Sequence, residues 1–350
     1  MKRTLKLLAC TLAVVLTSAN AFSQVIYPSA EGWTKAKPEE MGYSQEKLDK
    51  IKTAISNKTF GTGACIIVGG KMIFEFGYLD RLSYIASCRK SVLSMMYGKY
   101  VENGTINLNK TVADLGLDDL QGLTAQEMEA TVNDLITARS GIYHPASNAG
   151  DSKDKPERGT YKRGEHYLYN NWDFNAAGEA FEIMTGKNIY DAFGEDIAGP
   201  INMQDWSRDS QKKTGDLTVS RFPAYHFHFS TRDMARIGYL MLRNGKWEDK
   251  QVISPEWIRK TTAVVSTYDE VQKSERFSYG YMWWLFDESA PKFQSEYKGA
   301  YTAWGAMGQY ITVIPELDMV VAFKTDRLYG RKTKPEAYFE ILDMIISAQL

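Results

Sequence analysis

The stretch YIASCRKSVLSMMYGKY (Tyr84–Tyr100) places a serine and a lysine three positions apart, where an apolar helical pattern begins. Residues at this spacing share one face of a helix, so Ser87 and Lys90 are expected to lie about 5–6 Å apart. The apolar pattern continues through Met96 and ends at Asn103-Gly104, a pair typical of a helix end. The stretch therefore predicts a buried helix with a serine and a lysine at its amino-terminal end.

Ser-x-x-Lys is a weak motif by itself, since pairs also begin at Ser44, Ser152, Ser210, Ser289 and Ser295. Ser44 is placed to cap a surface helix, and the others lie in polar segments where a hydrated lysine, with a pKa near 10.4, is a poor base. Burial can lower a lysine pKa to roughly 7–8, where the amine can take a serine proton. Lys90 is the candidate base for Ser87, and the free N–H groups of the helix start favour an anion there. The alternative is that Ser87 caps the helix and Lys90 reaches solvent.

The composition indicates a well-packed globular protein. The chain has 350 residues, a formal net charge of −1, 44% hydrophobic residues and 13% aromatic residues. A chain of this kind can bury a large core as one big domain or two interlocked ones. The small net charge predicts neither a nucleic-acid partner nor an acidic surface as a partner. Of the three cysteines, Cys10 lies in the first residues, and the remaining Cys65 and Cys88 are too few for a disulfide framework or a zinc cluster.

The first residues have the pattern of an export signal. Three basic residues precede an apolar run from Leu7 to Leu16, and Ala19-Asn20-Ala21 forms a small-x-small cleavage site. The run is too short to span a bilayer, which takes roughly 20 residues, so no membrane span is expected. We predict a signal peptide at residues 1–21, a leader at 22–39, and an exported protein that is periplasmic or secreted. A lipid anchor at Cys10 is the weaker alternative, because cleavage there would divide the apolar run.

Strand patterns occur near both ends of the chain. TGACIIVGGKMIFEFGY (62–78) contains two β-branched runs joined by Gly69-Gly70, which predicts a hairpin. GQYITVIP (308–315) and DMVVAFKT (318–325) predict a second strand pair, and YGYMWWLF (279–286) predicts one more strand.

Between these strands, the pattern of residues 107–225 changes to short helical pieces separated by polar loops. We therefore predict an α+β fold in which residues 40–106 and 226–350 form a sheet domain with an antiparallel sheet flanked by helices. Residues 107–225 form a largely helical region, with the active site at the junction.

A second motif, Tyr169-Asn170-Asn171, lies within EHYLYNNWDFNAAGEAFEIMTG (165–186). Taken with Ser87 and Lys90, it resembles the serine β-lactamase and penicillin-binding protein superfamily, in the branch of class C β-lactamases, related esterases and 6-aminohexanoate-dimer hydrolases. That branch has a Ser-x-x-Lys helix followed by a Tyr-x-Asn loop. Three further stretches resemble segments of the same family: DLITARSGI (134–142), FSTRDMARIGYLML (229–242) and AWGAMGQYITVIPELDMVV (303–321).

The resemblance implies a β-lactamase/transpeptidase-like fold and a role for each motif residue. Tyr169 would share proton transfer with Lys90, because a phenol near an ammonium is more readily ionised. Asn171 would orient Lys90 and contact a substrate carbonyl. Tyr167, in the same tyrosine-rich loop, is the second choice for the proton carrier. The alternative for Tyr169 is that its ring only packs against other side chains.

The family's third motif, usually Lys-Thr-Gly or His-x-Gly, is altered in this chain. Its expected place reads Ala303-Trp304-Gly305-Ala306, without a cation. A literal Lys213-Thr214-Gly215 lies in a polar stretch and is interpreted as a chance match. Gly305 still permits the close backbone approach of an oxyanion hole, built from the amides of Ser87 and Ala306. Since the family's cation holds a substrate carboxylate, its loss favours neutral esters or amides. Trp304 is expected in the substrate site, or else in the core.

Other chemistries are less well supported. His226 and His228 lie two apart, but no third histidine completes a metal site, so we expect His226 to line the substrate pocket and no metal or other cofactor to be needed. No Gly-x-Ser-x-Gly elbow occurs. We predict a serine hydrolase that transfers the acyl group of a small ester or amide to water through Ser87, Lys90 and Tyr169. The alternatives are a β-lactamase or D,D-peptidase and a non-catalytic relative that binds cell-wall material; the oligomeric state is not predicted.

Overall fold

The computed structural model describes residues 25–150, 155–271 and 275–350. The predicted signal peptide at 1–21 and the first residues of the leader lie outside the described residues. Within these three ranges, no helix has both the length and the apolar character needed to cross a bilayer.

The helices of the described residues follow one another along the chain. They are α1 Gln45–Lys58, α2 Cys88–Glu102, α3 Ala125–Met128, α4 Val132–Ile136, α5 Asn171–Thr185, α6 Ile189–Phe193, α7 Thr231–Leu242, α8 Pro255–Thr261 and α9 Pro335–Ile346. The strands are β1 Gly63–Val68, β2 Lys71–Gly77, β3 Ser83–Tyr84, β4 Lys212–Thr214, β5 Ala224–His226, β6 His228–Phe229, β7 Lys246–Trp247, β8 Lys250–Gln251, β9 Phe277–Tyr279, β10 Trp284–Phe286, β11 Tyr301–Gly305, β12 Gln309–Ile314 and β13 Met319–Lys324.

A seven-stranded antiparallel sheet in the order β2-β1-β13-β12-β11-β10-β9 joins the two ends of the chain. Strand β1 pairs directly with β13, and Ile66 lies opposite Val321. The β1–β2 turn at Gly69-Gly70 has φ values of 56° and 82°, the left-handed backbone of a two-residue hairpin turn. The predicted α+β class with one antiparallel sheet is confirmed.

Both faces of the sheet are covered by helices. Helices α1 and α9 pack together over one face, and α7 and α2 contact the strands from the other. Strand β1 shows this burial directly, because Cys65 and Ile67 belong to one hydrophobic cluster while Ala64 and Ile66 belong to the other. Two buried faces explain why the strand sequences are continuously apolar rather than alternating.

The predicted single strand at 279–286 is wrong, since this segment is the turn and second strand of a hairpin. Strand β9 ends at Tyr279 and β10 begins at Trp284. Between them Met282 has a φ of 61°, and a Cβ at Gly280 would lie 2.4 Å from the Thr261 carbonyl oxygen. The apolar run hid the turn because its residues are buried against α8.

Helices α3 to α6 lie within the predicted helical region 107–225. Helix α5 packs on α2, so the helical region and the sheet domain meet at the helix that carries the Ser-x-x-Lys motif. The boundaries assigned to the two regions stay a prediction.

Helix α1 is expected to stabilise the fold through its face against α9. Ile51 on that face is fully buried, so Ile51→Ala should lower the free energy of unfolding by about 2–5 kcal/mol. Ile183 on α5 is 47% exposed, and Ile183→Ala should change the free energy by no more than roughly 0.5 kcal/mol. Urea unfolding measures both, and equal losses would contradict the packing described for α1.

Candidate active site

Ser87 lies at the start of α2 without capping it. Its backbone is helical, with φ −73° and ψ −6°, and its side chain makes no capping hydrogen bond. The preceding residue, Ala86, has a φ of 49°, a conformation that is costly for a residue with a side chain. The interpretation of Ser87 as a helix cap is therefore wrong, and its hydroxyl is left for other contacts.

The end of strand β11 approaches the Ser87 turn closely. A Cβ at Gly305 would lie 2.4 Å from the Ile85 carbonyl oxygen and 3.1 Å from the Ala86 Cβ. Only glycine fits this approach, as the sequence predicted. The next residue, Ala306, lines the same cleft as Ser87.

Lys90 is buried, with an exposed fraction of 1%. Its Nζ donates hydrogen bonds of 2.7 Å to the Tyr169 hydroxyl and 2.7 Å to Asn171 Oδ1. A lysine that reaches solvent is therefore excluded. The two motifs, far apart in the sequence, meet at this amine.

Burial makes Tyr169 harder to ionise. Loss of solvent raises the pKa of Tyr169 above its ordinary value of 10, although contact with the Ser87 hydroxyl and the charge of Arg89 lower it in part. The expectation that its surroundings make this phenol more readily ionised is wrong, because desolvation outweighs the favourable contacts. Tyr169 is a neutral phenol at ordinary pH.

Tyr167, the second choice for the proton carrier, is placed elsewhere. Its hydroxyl is buried and has no hydrogen-bond partner among the described residues, and its ring packs 5.2 Å from the Tyr279 ring. Lys90 Nζ bonds to Tyr169 and not to Tyr167.

A cleft of about 590 Å³ opens above this group. Two of the predicted site residues, Lys90 and Gly305, do not line the cleft. The six that do are Ser87, Tyr169, Asn171, His226, Trp304 and Ala306.

The fold and the motif geometry agree with the comparison to known families. The profile of the beta-lactamase family matches residues 45–343. The chain belongs to the beta-lactamase family. Family membership makes it a serine hydrolase of the β-lactamase/transpeptidase fold. Among curated proteins, none matches this sequence.

Solved structures share the fold of this beta-lactamase family member at low identity. A candidate 6-aminohexanoate-dimer hydrolase from Bacillus anthracis is 18% identical, with a TM-score of 0.66 over 92% of this chain and 89% of that one. A family VIII carboxylesterase is 15% identical, with a TM-score of 0.65 over 87% and 97%. A class C beta-lactamase mutant is 13% identical, with a TM-score of 0.64 over 89% and 98%.

The cleft of this family member continues into an aromatic cavity of about 820 Å³. Tyr169, Trp284 and Trp304 line both spaces. The Trp284 and Trp304 rings lie 5.3 Å apart. Trp283 is fully buried, whereas Trp284 is only partly buried and faces the two spaces.

His226 lines the cleft as predicted and packs edge-on against Tyr84, with ring centroids 4.9 Å apart. Burial and the neighbouring charge of Arg89 lower the pKa of His226 to about 3. The imidazole is therefore neutral at ordinary pH. Within the described ranges, no three histidine, cysteine or acidic side chains are grouped to hold a metal ion.

The literal Lys213-Thr214-Gly215 lies away from the cleft. Lys213 forms an ion pair with Glu182 and lies 3.7 Å from a Glu179 oxygen. Its amine thus links β4 to α5 through a partly exposed ion pair.

The low pKa of His226 links its burial to acid stability. The unfolded histidine binds a proton near pH 6.5 and the folded one only near pH 3, so the protein should lose stability as the pH falls through this window. His226→Gln removes this contribution, and its free energy of unfolding should fall less steeply with pH than that of the wild type. Urea unfolding at several pH values within the window measures both slopes. Parallel slopes would show that His226 titrates normally.

Proposed function

We propose that this chain hydrolyses a small ester or amide, with Ser87 as the nucleophile and Lys90 and Tyr169 as the proton-transfer pair. The observation that carries the proposal is the buried Lys90 amine, bonded to Tyr169 and Asn171, both of which line the cleft with Ser87. A buried amine with these neighbours can act as a base at neutral pH when burial lowers its pKa.

In acylation, the Ser87 oxygen attacks the carbonyl carbon of the substrate. The serine proton moves to the Tyr169 oxygen while Tyr169 gives its own proton to the neutral Lys90 amine. A phenol that is neutral at rest suits this relay, because it ends the transfer in the protonation state in which it began. The oxyanion is held by the amides of Ser87 and Ala306.

Collapse of the tetrahedral intermediate breaks the bond to the alcohol or amine. The proton on Lys90 returns through Tyr169 to that leaving group, and an acyl-serine remains. Water then attacks the acyl carbon, gives a proton to the same relay, and releases the acid as Ser87 regains its proton. Every step uses side chains already present, so no cofactor is required.

The aromatic cavity beside the cleft favours substrates with an apolar group next to the scissile bond. An apolar group of an ester or amide held at Ser87 could be accommodated among Tyr169, Trp284 and Trp304. We also propose export of the protein, on the basis of the signal pattern in residues 1–21.

A covalent probe tests the nucleophile. A fluorophosphonate should add one phosphonyl group to the peptide that contains Ser87, and Ser87→Ala should abolish the adduct. Ser289 begins an exposed Ser-x-x-Lys pair, so Ser289→Ala should be labelled like the wild type. Intact-mass and peptide mass spectrometry measure the outcome.

Other results of the same experiment would change the proposal. Labelling that persists in Ser87→Ala would contradict the mechanism. Additional labelling by a fluorescent penicillin would favour a β-lactamase or D,D-peptidase activity. No labelling by either reagent would favour a binding protein without catalysis.

The two neighbouring tyrosines provide a matched test of the relay. Tyr169→Phe should lower kcat for 4-nitrophenyl butyrate by about 10²–10⁴-fold, because the proton path to Lys90 is lost. Tyr167→Phe removes a hydroxyl without a described partner and should change kcat by less than about threefold. Equal losses in the two variants would argue against a relay through Tyr169.

A further inference from the structure

Arg89 is a buried cation in the wall of the cleft. Its side chain is 2% exposed, and it borders the same cleft as Ser87. Nη2 donates a 2.7 Å hydrogen bond to Asn175 Oδ1, and the guanidinium carbon lies 4.3 Å from the centre of the Tyr225 ring. Nη1 is buried without a hydrogen-bond partner.

The charge of Arg89 has no acidic partner in the described part of the chain, since no carboxylate there lies within ion-pair distance of its guanidinium. A guanidinium remains protonated in proteins, and an unpaired buried charge is costly. The neutral contacts with Asn175 and Tyr225 offset only part of that cost. This wall of the cleft therefore keeps a positive charge that an anion would compensate.

A second guanidinium lines the cleft from its rim. Arg327 is exposed and lies 5.3 Å from the centre of the Tyr84 ring. Among the described residues its guanidinium has neither a hydrogen bond nor an ion pair; the adjacent Asp326 lies 3.8 Å from Arg81 instead.

Tyr84 and His226 complete this surface, which we call the basic wall: Tyr84, Arg89, His226 and Arg327. Both arginine charges lower the pKa of His226. Its Nδ1 is buried without a partner. A neutral imidazole can offer one hydrogen bond to a ligand.

The basic wall and the aromatic cavity lie at different parts of the cleft. Trp284 and Trp304 line both the cleft and the cavity, whereas no residue of the basic wall lines the cavity. The cavity also has cations, but Arg276 is paired with Asp343 and Lys292 with Glu275. A substrate held at Ser87 thus meets guanidinium groups without a described acidic partner on the side of the basic wall.

We propose that the basic wall binds a carboxylate of the substrate, so that the substrates are esters or amides that carry a carboxylate away from the scissile bond. This inference rests on the proposed function. The planar guanidinium of Arg327 fits a carboxylate through two parallel hydrogen bonds. The buried charge of Arg89 adds attraction through a medium that screens it weakly. One exposed guanidinium and one imidazole nitrogen suit a carboxylate better than a phosphate dianion, which needs more donors.

The inference reverses the sequence-based expectation of a neutral substrate. That expectation followed from the missing cation at Ala303–Ala306 on β11. The basic wall is built from the helix α2, from β3 and β5, and from the segment after β13. Its cations thus lie on elements other than β11, the strand at which the family's third motif is expected.

Two esters that differ only in charge test the inference. They are 4-nitrophenyl hydrogen adipate and its methyl ester, compared by kcat/KM. The wild type should prefer the acid by about 10–100-fold, the range of a hydrogen bond to a charged group. Arg327→Met should lower this preference by at least about tenfold, and added salt should lower it in the wild type.

A matched arginine serves as the control. Arg259 is exposed on α8 and paired with Glu256, so Arg259→Met should keep both activity and preference. Arg89→Met, checked for folding by circular dichroism, should also reduce the preference. Because the preference is a ratio within one variant, a partial loss of folded protein does not alter it.

The outcomes separate this inference from the proposed function. If the wild type hydrolyses the methyl ester as well as the acid, or if Arg327→Met keeps the full preference, the carboxylate site is overturned while the hydrolase stands. If neither ester is hydrolysed, the proposed function fails, and the carboxylate site fails with it.

Discussion

The hydrogen bonds of the Lys90 amine to Tyr169 and Asn171 are the interaction on which the rest of the site depends. They join the amino-terminal turn of α2 to the start of α5, two elements that are far apart in the sequence. Without the packing of α5 on α2, the amine would be hydrated and would stay protonated at neutral pH. In the proposed mechanism, the fold contributes by removing water from this lysine.

The sheet contributes a second constraint, the position of Ser87. Strand β11 reaches the Ser87 turn so closely that Gly305 cannot carry a side chain, and Ala86 adopts a left-handed backbone beside it. Strand β11 is held by β12, and β12 by β13, which pairs with the amino-terminal hairpin. Both ends of the chain thus hold in place the turn that presents Ser87.

Much of the fold and part of the site could be predicted from local sequence. The Gly69-Gly70 hairpin, the helix that ends at Asn103-Gly104 and the Ser87/Lys90 pair each follow from short-range patterns. Tyr169 and Asn171 came from resemblance to a family, because no local pattern brings a distant loop to Lys90. Burial-dependent properties were the weakest predictions: the pKa of Tyr169 rises instead of falling, since the aromatic surroundings that desolvate it are assembled from several elements.

Arg89 was also missed, although it directly precedes Lys90 in the buried first turn of α2. That no described carboxylate lies within ion-pair distance of its guanidinium appears only in three dimensions, where the Arg89 side of the cleft is positive and Trp284 and Trp304 line the other. The proposed acyl-transfer residues thus lie between the basic wall and the side of the cleft that Trp284 and Trp304 line. In the proposals above, Ser87 and Lys90 of α2 serve bond cleavage, while Arg89 of the same helix contributes to substrate choice.

The most direct test of the central claim is a crystal structure of the fluorophosphonate-treated protein. The account predicts phosphorus bonded to Ser87 Oγ, a phosphonyl oxygen about 3 Å from the amides of Ser87 and Ala306, and Lys90 Nζ still bonded to Tyr169. An adduct on another residue, or a Ser87 adduct with Lys90 turned to solvent, would contradict it.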